Sequence, residues 1–176
     1  MNIAKIKELE DLKEKVRKLK KKKEDIEVKE KCEFTRKNKA SFREYFKKLG
    51  LNNEDKCSCM EGKEIWEEIA CYKSFKVSLI IPDNEKDSEE VWELTTNISD
   101  NFACIIDVVS RDNDKSGIYF EDNLTEDEEL IEEIERLNKE VNILEENIES
   151  YNPKFKLRID DNNYDKIDEF LPKIFN

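Results

Sequence analysis

The sequence predicts an α+β chain in which a long antiparallel helical hairpin, a coiled coil, brackets a small body made of an antiparallel β-meander and short helices. Three observations predict it. Two stretches lacking proline and glycine carry apolar residues at alternating spacings of three and four. These stretches are oppositely charged, and between them the apolar period changes to two. The expected organisation is an N-terminal helix over 1–28, a mixed body over 29–124, a second helix over 125–152, and a short strand with a terminal helix over 153–176.

In the first stretch Leu9, Leu12, Val16, Leu19 and Ile26 keep the helical spacing, with Lys23 standing where an apolar residue is expected. Asp11 with Lys15, and Glu14 with Lys18, place acid one turn before base, the favourable order. The second stretch begins at Thr125, which forms a capping box with Glu128. It then runs Leu130, Ile134, Leu137, Val141, Leu144, Ile148 and Tyr151 until Pro153 stops it.

From Ile3 to Val28 there are ten basic and seven acidic residues; from Glu126 to Tyr151 there are eleven acidic and two basic. The opposite balances favour pairing of the two helices with each other. Each exposed pair adds only about 0.2–0.5 kcal/mol, so the apolar seam supplies the stability and the charges bias the partner. An intrachain antiparallel hairpin with the body inserted at its tip accounts for the equal lengths. The same surfaces would also serve a homodimer.

Within the body, Ser41 and Glu44 form a second capping box, and Phe42, Tyr45, Phe46 and Leu49 share a helical face before Gly50. Asn52–Gly62 is polar and aperiodic and reads as a loop. Lys63–Tyr72, with Ile65, Trp66, Ile69 and Tyr72 at helical spacing, reads as a short helix. Period two then takes over at Phe75, Val77, Leu79 and Ile81, continues at Trp92, Leu94, Thr96 and Ile98, and is followed by the apolar runs Phe102–Val109 and Ile118–Phe120. Short strands joined by polar turns favour a meander over βαβ crossovers. After Pro153, Phe155, Leu157 and Ile159 alternate with Lys154, Lys156 and Arg158 as a half-buried strand. Tyr164, Ile167, Phe170 and Leu171 suggest a terminal helix ending near Pro172.

Composition narrows the function. Forty-four acidic and 32 basic residues give a net charge of -12, which opposes general binding to nucleic acid or anionic membranes. The chain has no histidine, so histidine-based acid–base chemistry, triads and His-containing metal sites are excluded. No apolar run approaches the roughly 20 residues of a membrane span, and the amino terminus lacks the apolar centre of a signal peptide. Five irregularly spaced cysteines fit free thiols in a reducing cytoplasm. The Lys, Glu, Asn and Ile bias is of the kind found in AT-rich bacterial and phage genomes.

Four candidate sites arise. Cys32, Cys57, Cys59 and Cys71 together could offer four thiolates to structural zinc, although their spacing is not that of a zinc knuckle and free thiols are the plainer reading. Asp112, Asp114, Ser116 and Gly117 resemble the opening of a calcium loop, but Asn123 stands where its bidentate glutamate belongs, so a polar turn is preferred. Arg17, Lys18, Lys20, Lys21, Lys22 and Lys23 form a basic run suited to nucleic acid, which pairing with the acidic helix would neutralise. Asp107, alone in an apolar strand, has no second carboxylate assigned to it.

The favoured function is therefore a non-enzymatic interaction module or inhibitor that meets a protein partner, such as a basic nucleic-acid-binding protein, through the acidic helix and the α/β head. Glu132, Glu133, Glu135, Glu140, Glu145, Glu146 and Glu149 are its contact candidates. A phage-encoded antagonist of a host defence protein would be one biological form of it. The alternatives are a coiled-coil assembly component, a nucleic-acid-associated protein using the basic helix, and a carboxylate- or metal-dependent enzyme. No cofactor other than zinc is suggested, and no membrane.

Overall fold

The structure, a computed structural model, describes residues 3–60, 63–82, 90–97, 103–110 and 126–175. The chain is α+β and divides into two compact units, Met1–Lys29 with Asn113–Asn152, and Glu30–Asp112 with Pro153–Asn176. Helix α1 (Ile3–Lys48) runs through both, so the expected helix end near Val28 does not exist. Nothing in that interval breaks a helix, because the first glycine is Gly50 and the first proline is Pro82. The Ser41/Glu44 pair lies inside α1 and starts no new helix. Gly50, at φ +83°, ends it. The Leu51 N–H reaches the Phe46 carbonyl at 3.0 Å and the Gly50 N–H reaches that of Lys47 at 3.0 Å, the paired bonds of a Schellman cap.

In the first unit, the amino-terminal part of α1 shares an apolar cluster with α2 (Glu126–Ser150). Val16, Leu137 and Val141 are buried, and Leu9, Leu12, Leu19 and Leu144 pack against them. The expected antiparallel sense is wrong: the helices run in the same direction. Lys15–Glu145 (2.8 Å) and Lys20–Glu140 (2.7 Å), taken alone, fit either direction. Tyr151 decides, because its hydroxyl donates to Glu27 at 3.5 Å and its ring lies under the Lys23 ammonium at 4.6 Å. In the antiparallel frame set by the two ion pairs, Tyr151 and Glu27 would be displaced by about 27 Å along the axis, at 1.5 Å per residue. The lysine that interrupts the apolar stripe thus faces an aromatic ring. Thr125, and with it the Thr125/Glu128 capping box, lies outside the described residues.

The second unit is a seven-stranded antiparallel sheet in strict sequence order: β1 (Asn52–Met60), β2 (Lys63–Tyr72), β3 (Phe75–Pro82), β4 (Glu90–Thr96), β5 (Ala103–Ser110), β6 (Phe155–Ile159) and β7 (Asn162–Tyr164). The meander is as expected for β3 to β5, and the strand expected after Pro153 is β6, which joins the sheet beside β5, a place the sequence left open. Two expectations fail. The segment read as a loop is strand β1, and the segment read as a short helix is strand β2; they pair without a bulge from Asn52↔Cys71 to Met60↔Lys63. The strand expected at Ile118–Phe120, and the calcium-like loop before it, lie outside the described residues.

Alternation sends Val77, Leu79, Ile81, Trp92, Leu94, Ile106, Val108, Phe155, Leu157 and Ile159 to one face, where they bury against Phe42 and Phe46 of α1. Phe34 extends the contact, with its ring 6.0 Å from both Trp92 and Phe155. Asp160 and Asp161, both at positive φ, make the two-residue turn between β6 and β7. The expected terminal helix is instead a 3-10 turn, Ile167–Glu169, followed by α3 (Leu171–Phe175). Asn38 pins this tail: its buried side chain accepts the Ile167 N–H at 2.7 Å and donates to the Phe34 carbonyl at 3.0 Å.

Candidate partner-binding surface

α2 carries the seven glutamates singled out in the sequence, and the structure separates them into two sets. Three are engaged within the first unit. Glu145 bonds Lys15, and Glu140 bonds Lys20 and Arg136. Glu133 takes both arms of the Arg136 guanidinium, at 2.7 and 2.6 Å. Those hydrogen bonds hold the Glu133 carboxyl below the usual carboxylate range and push the Arg136 value up.

The other four, Glu132, Glu135, Glu146 and Glu149, are exposed and have no hydrogen-bond or ion-pair partner among the described residues. At 100° per residue they fall within about 100° of one another, on the side of α2 away from the apolar seam. Lys139 is the one cation within that arc among the described residues.

The basic run of α1 is largely answered from nearby. Arg17 and Lys18 share Glu14, Lys20 meets Glu140, and Lys23 covers Tyr151. Glu14 is held below its ordinary value, first by the Arg17 hydrogen bond. A groove between α1 and α2, lined by Lys13, Arg17, Lys20, Lys21 and Arg136, also holds Glu24 and Glu140, so its charge is mixed.

Of the zinc candidates, Cys32, Cys57 and Cys71 are not brought together. Cys32 is exposed on α1, Cys57 and Cys59 stand opposite Trp66 and Glu64 on β1, and Cys71 lies on β2 opposite Asn52. Strand alternation puts Cys57 and Cys71 on opposite faces of the sheet. Among the described residues no group of three metal-capable side chains converges. Asp107, whose partner the sequence left open, takes Arg158 of the neighbouring strand at 3.0 Å.

Sequence reasoning missed a charged cluster between α1 and the sheet. Glu68, 1% exposed, points to the α1 side of β2 and is gripped by Arg43, Nε to Oε2 at 2.5 Å and Nη2 to Oε1 at 2.8 Å. Lys39 adds its ammonium at 4.0 Å from Glu68 and lies 4.4 Å from the centre of the Trp66 ring, while Asp55 stands 3.7 Å from Arg43. Burial lowers the Lys39 value below that of ordinary lysine, against the pull of Glu68. Two cations surround one buried carboxylate, so the cluster fastens α1 to the sheet. The signal in the sequence was the i,i+4 pair Lys39 and Arg43, facing the apolar side of its own helix beside Phe42 and Phe46.

No helix among the described residues is long and apolar enough to cross a membrane. Compared with protein-family models, with curated proteins and with solved structures, the chain matches none.

Proposed function

We propose that this is a non-enzymatic interaction protein whose first unit is a short parallel coiled coil presenting an acidic face to a basic surface on a protein partner. The observation that carries the reading is the division of the glutamates. Glu133, Glu140 and Glu145 are spent on contacts with basic side chains in the first unit, whereas Glu132, Glu135, Glu146 and Glu149 form an exposed arc, net acidic despite Lys139 and without an ion pair among the described residues. Such an arc steers a cationic partner and gives it orientation, while apolar contacts must supply most of the affinity; exposed Ile131 and Ile143 lie on the same helix. A basic nucleic-acid-binding protein fits this chemistry, and occupying its basic surface would make the chain an inhibitor, of the kind a phage directs against a host defence protein. The reading places the protein in a reducing cytoplasm, consistent with free cysteines at positions 32, 57, 71 and 104.

The test is reversal of the arc. In affinity capture from the native source, the chain is expected to recover a basic protein, and E132K/E135K/E146K/E149K to lose it while keeping its helical circular dichroism. Capture unchanged by the fourfold reversal would refute the reading.

A further inference from the structure

The two edges of the sheet are unlike. β7 is three residues long and turns at once into the 3-10 segment, a short edge with little backbone to offer. β1 is nine residues long, contains no proline or glycine, pairs with β2 without a bulge, and has no neighbour on its outer side among the described residues. Glu54, Asp55, Lys56, Cys57 and Ser58 are all exposed along it. A single lysine on an edge is an ordinary guard against pairing, but here Lys56 comes two residues after Glu54, on the same face of the strand.

That spacing is self-complementary. When two copies of β1 pair antiparallel about a twofold axis, residues of like parity stand opposite each other. With Asp55 on the axis, Glu54 of each copy meets Lys56 of the other, twice by symmetry, and Asn53 meets Cys57. The carboxylates brought together at Asp55 each have an Arg43 guanidinium 3.7 Å away on their own chain. Moving the axis to Lys56 would oppose two lysines and lose both favourable pairs. We infer that β1 is a homodimerisation edge, pairing antiparallel with β1 of a second copy with Asp55 on the twofold axis, so that two seven-stranded sheets join into one of fourteen.

The experiment is sedimentation equilibrium of the full chain under reducing conditions. The wild type is expected to show a concentration-dependent dimer. Lys56→Glu, which sets a second carboxylate against Glu54 at both symmetric positions, is expected to weaken it about tenfold or more. The swapped variant E54K/K56E regenerates both pairs and is expected to restore the dimer, so that a folding defect in the single variant cannot imitate the result. In a variant with Cys57 and Cys59 changed to serine, Asp55→Cys is expected to trap the dimer as a disulfide on oxidation, since directly opposed residues lie about 4.5–5.5 Å apart between Cα atoms. A wild type that stays monomeric at millimolar concentration, a dimer indifferent to Lys56→Glu, a swap that fails to restore it, or absence of the Asp55→Cys crosslink would each overturn the inference.

Discussion

The Arg43–Glu68 clamp makes a sharp prediction about how α1 is held to the sheet. Replacing Arg43 with alanine leaves a carboxylate that is 1% exposed with Lys39 at 4.0 Å as its nearest cation. Breaking a buried pair from one side costs about 3–5 kcal/mol. The Arg43 side chain is 45% exposed, so water can follow it out, and the expected loss is about 2–3 kcal/mol. Glu68→Leu removes the buried charge itself; Arg43 then keeps Asp55 and solvent, and the expected change is within about 1 kcal/mol. The double variant R43A/E68L should therefore be more stable than R43A alone. Tryptophan fluorescence during urea unfolding reads this directly, because Trp66 and Trp92 both belong to the second unit. In thermal unfolding R43A should lower the midpoint by about 4–12 °C. An R43A variant as stable as the wild type, or a double variant less stable than R43A, would refute the account of Glu68 as a charge that is tolerated only because it is gripped.

Three further outcomes follow from the same contacts. Leu137→Ala empties a buried seam position and should destabilise the pairing of α1 with α2 by about 2–5 kcal/mol, read as faster amide exchange at 134–148. Asn38→Ala leaves the Ile167 N–H without its acceptor; about 1–3 kcal/mol should be lost, with exchange protection failing first at 167–171. Acid should weaken both units. Glu133 is held below its ordinary value by Arg136, and Glu67 is held low because hydrogen bonds from Lys76 and Ser78 outweigh the upward push of burial. A depressed carboxyl contributes stability that is fully present above its unfolded value of about 4.3 and is lost as pH falls through its folded value. A pH titration of the urea midpoint should show the decline beginning near pH 4, and Glu133→Gln should remove part of it.

The legible parts of the sequence were those in which one physical signal dominates. The seam of α2 keeps its spacing where Leu137, Val141 and Leu144 pack against one neighbour. Strands β3 to β6 alternate because one face is core. β1 was illegible because it is an edge, exposed along Glu54–Ser58, so no apolar alternation marks it. β2 failed for the opposite reason: its inward row is Trp66, Glu68, Ala70, and a buried glutamate erased the period of two while Ile65, Trp66, Ile69 and Tyr72 imitated a helical face. The residues that would explain that glutamate, Lys39 and Arg43, lie 25 or more positions away on α1. Helix direction was unreadable because heptad spacing and net charge are the same in either sense. The contacts that decide it, Tyr151 with Lys23 and Glu27, follow no period in the sequence. Among the candidate contact residues, composition pointed to α2 but could not distinguish the glutamates that bond α1 and Arg136 from those that face water.

The insertion of α2 between β5 and β6 has a consequence for biosynthesis. Strands β1 to β5 can zip together as successive local hairpins while the ribosome is still at work, whereas β6 must find β5 across a separation of 51 residues, as between Asp107 and Arg158. Until Leu157 arrives, Val108 and Ile106 border an unfinished sheet with backbone groups unsatisfied, the state in which a nascent chain is most exposed to aggregation and to chaperone capture. A slow final phase of refolding, accelerated when the excursion is shortened, is the kinetic mark this order of assembly would leave.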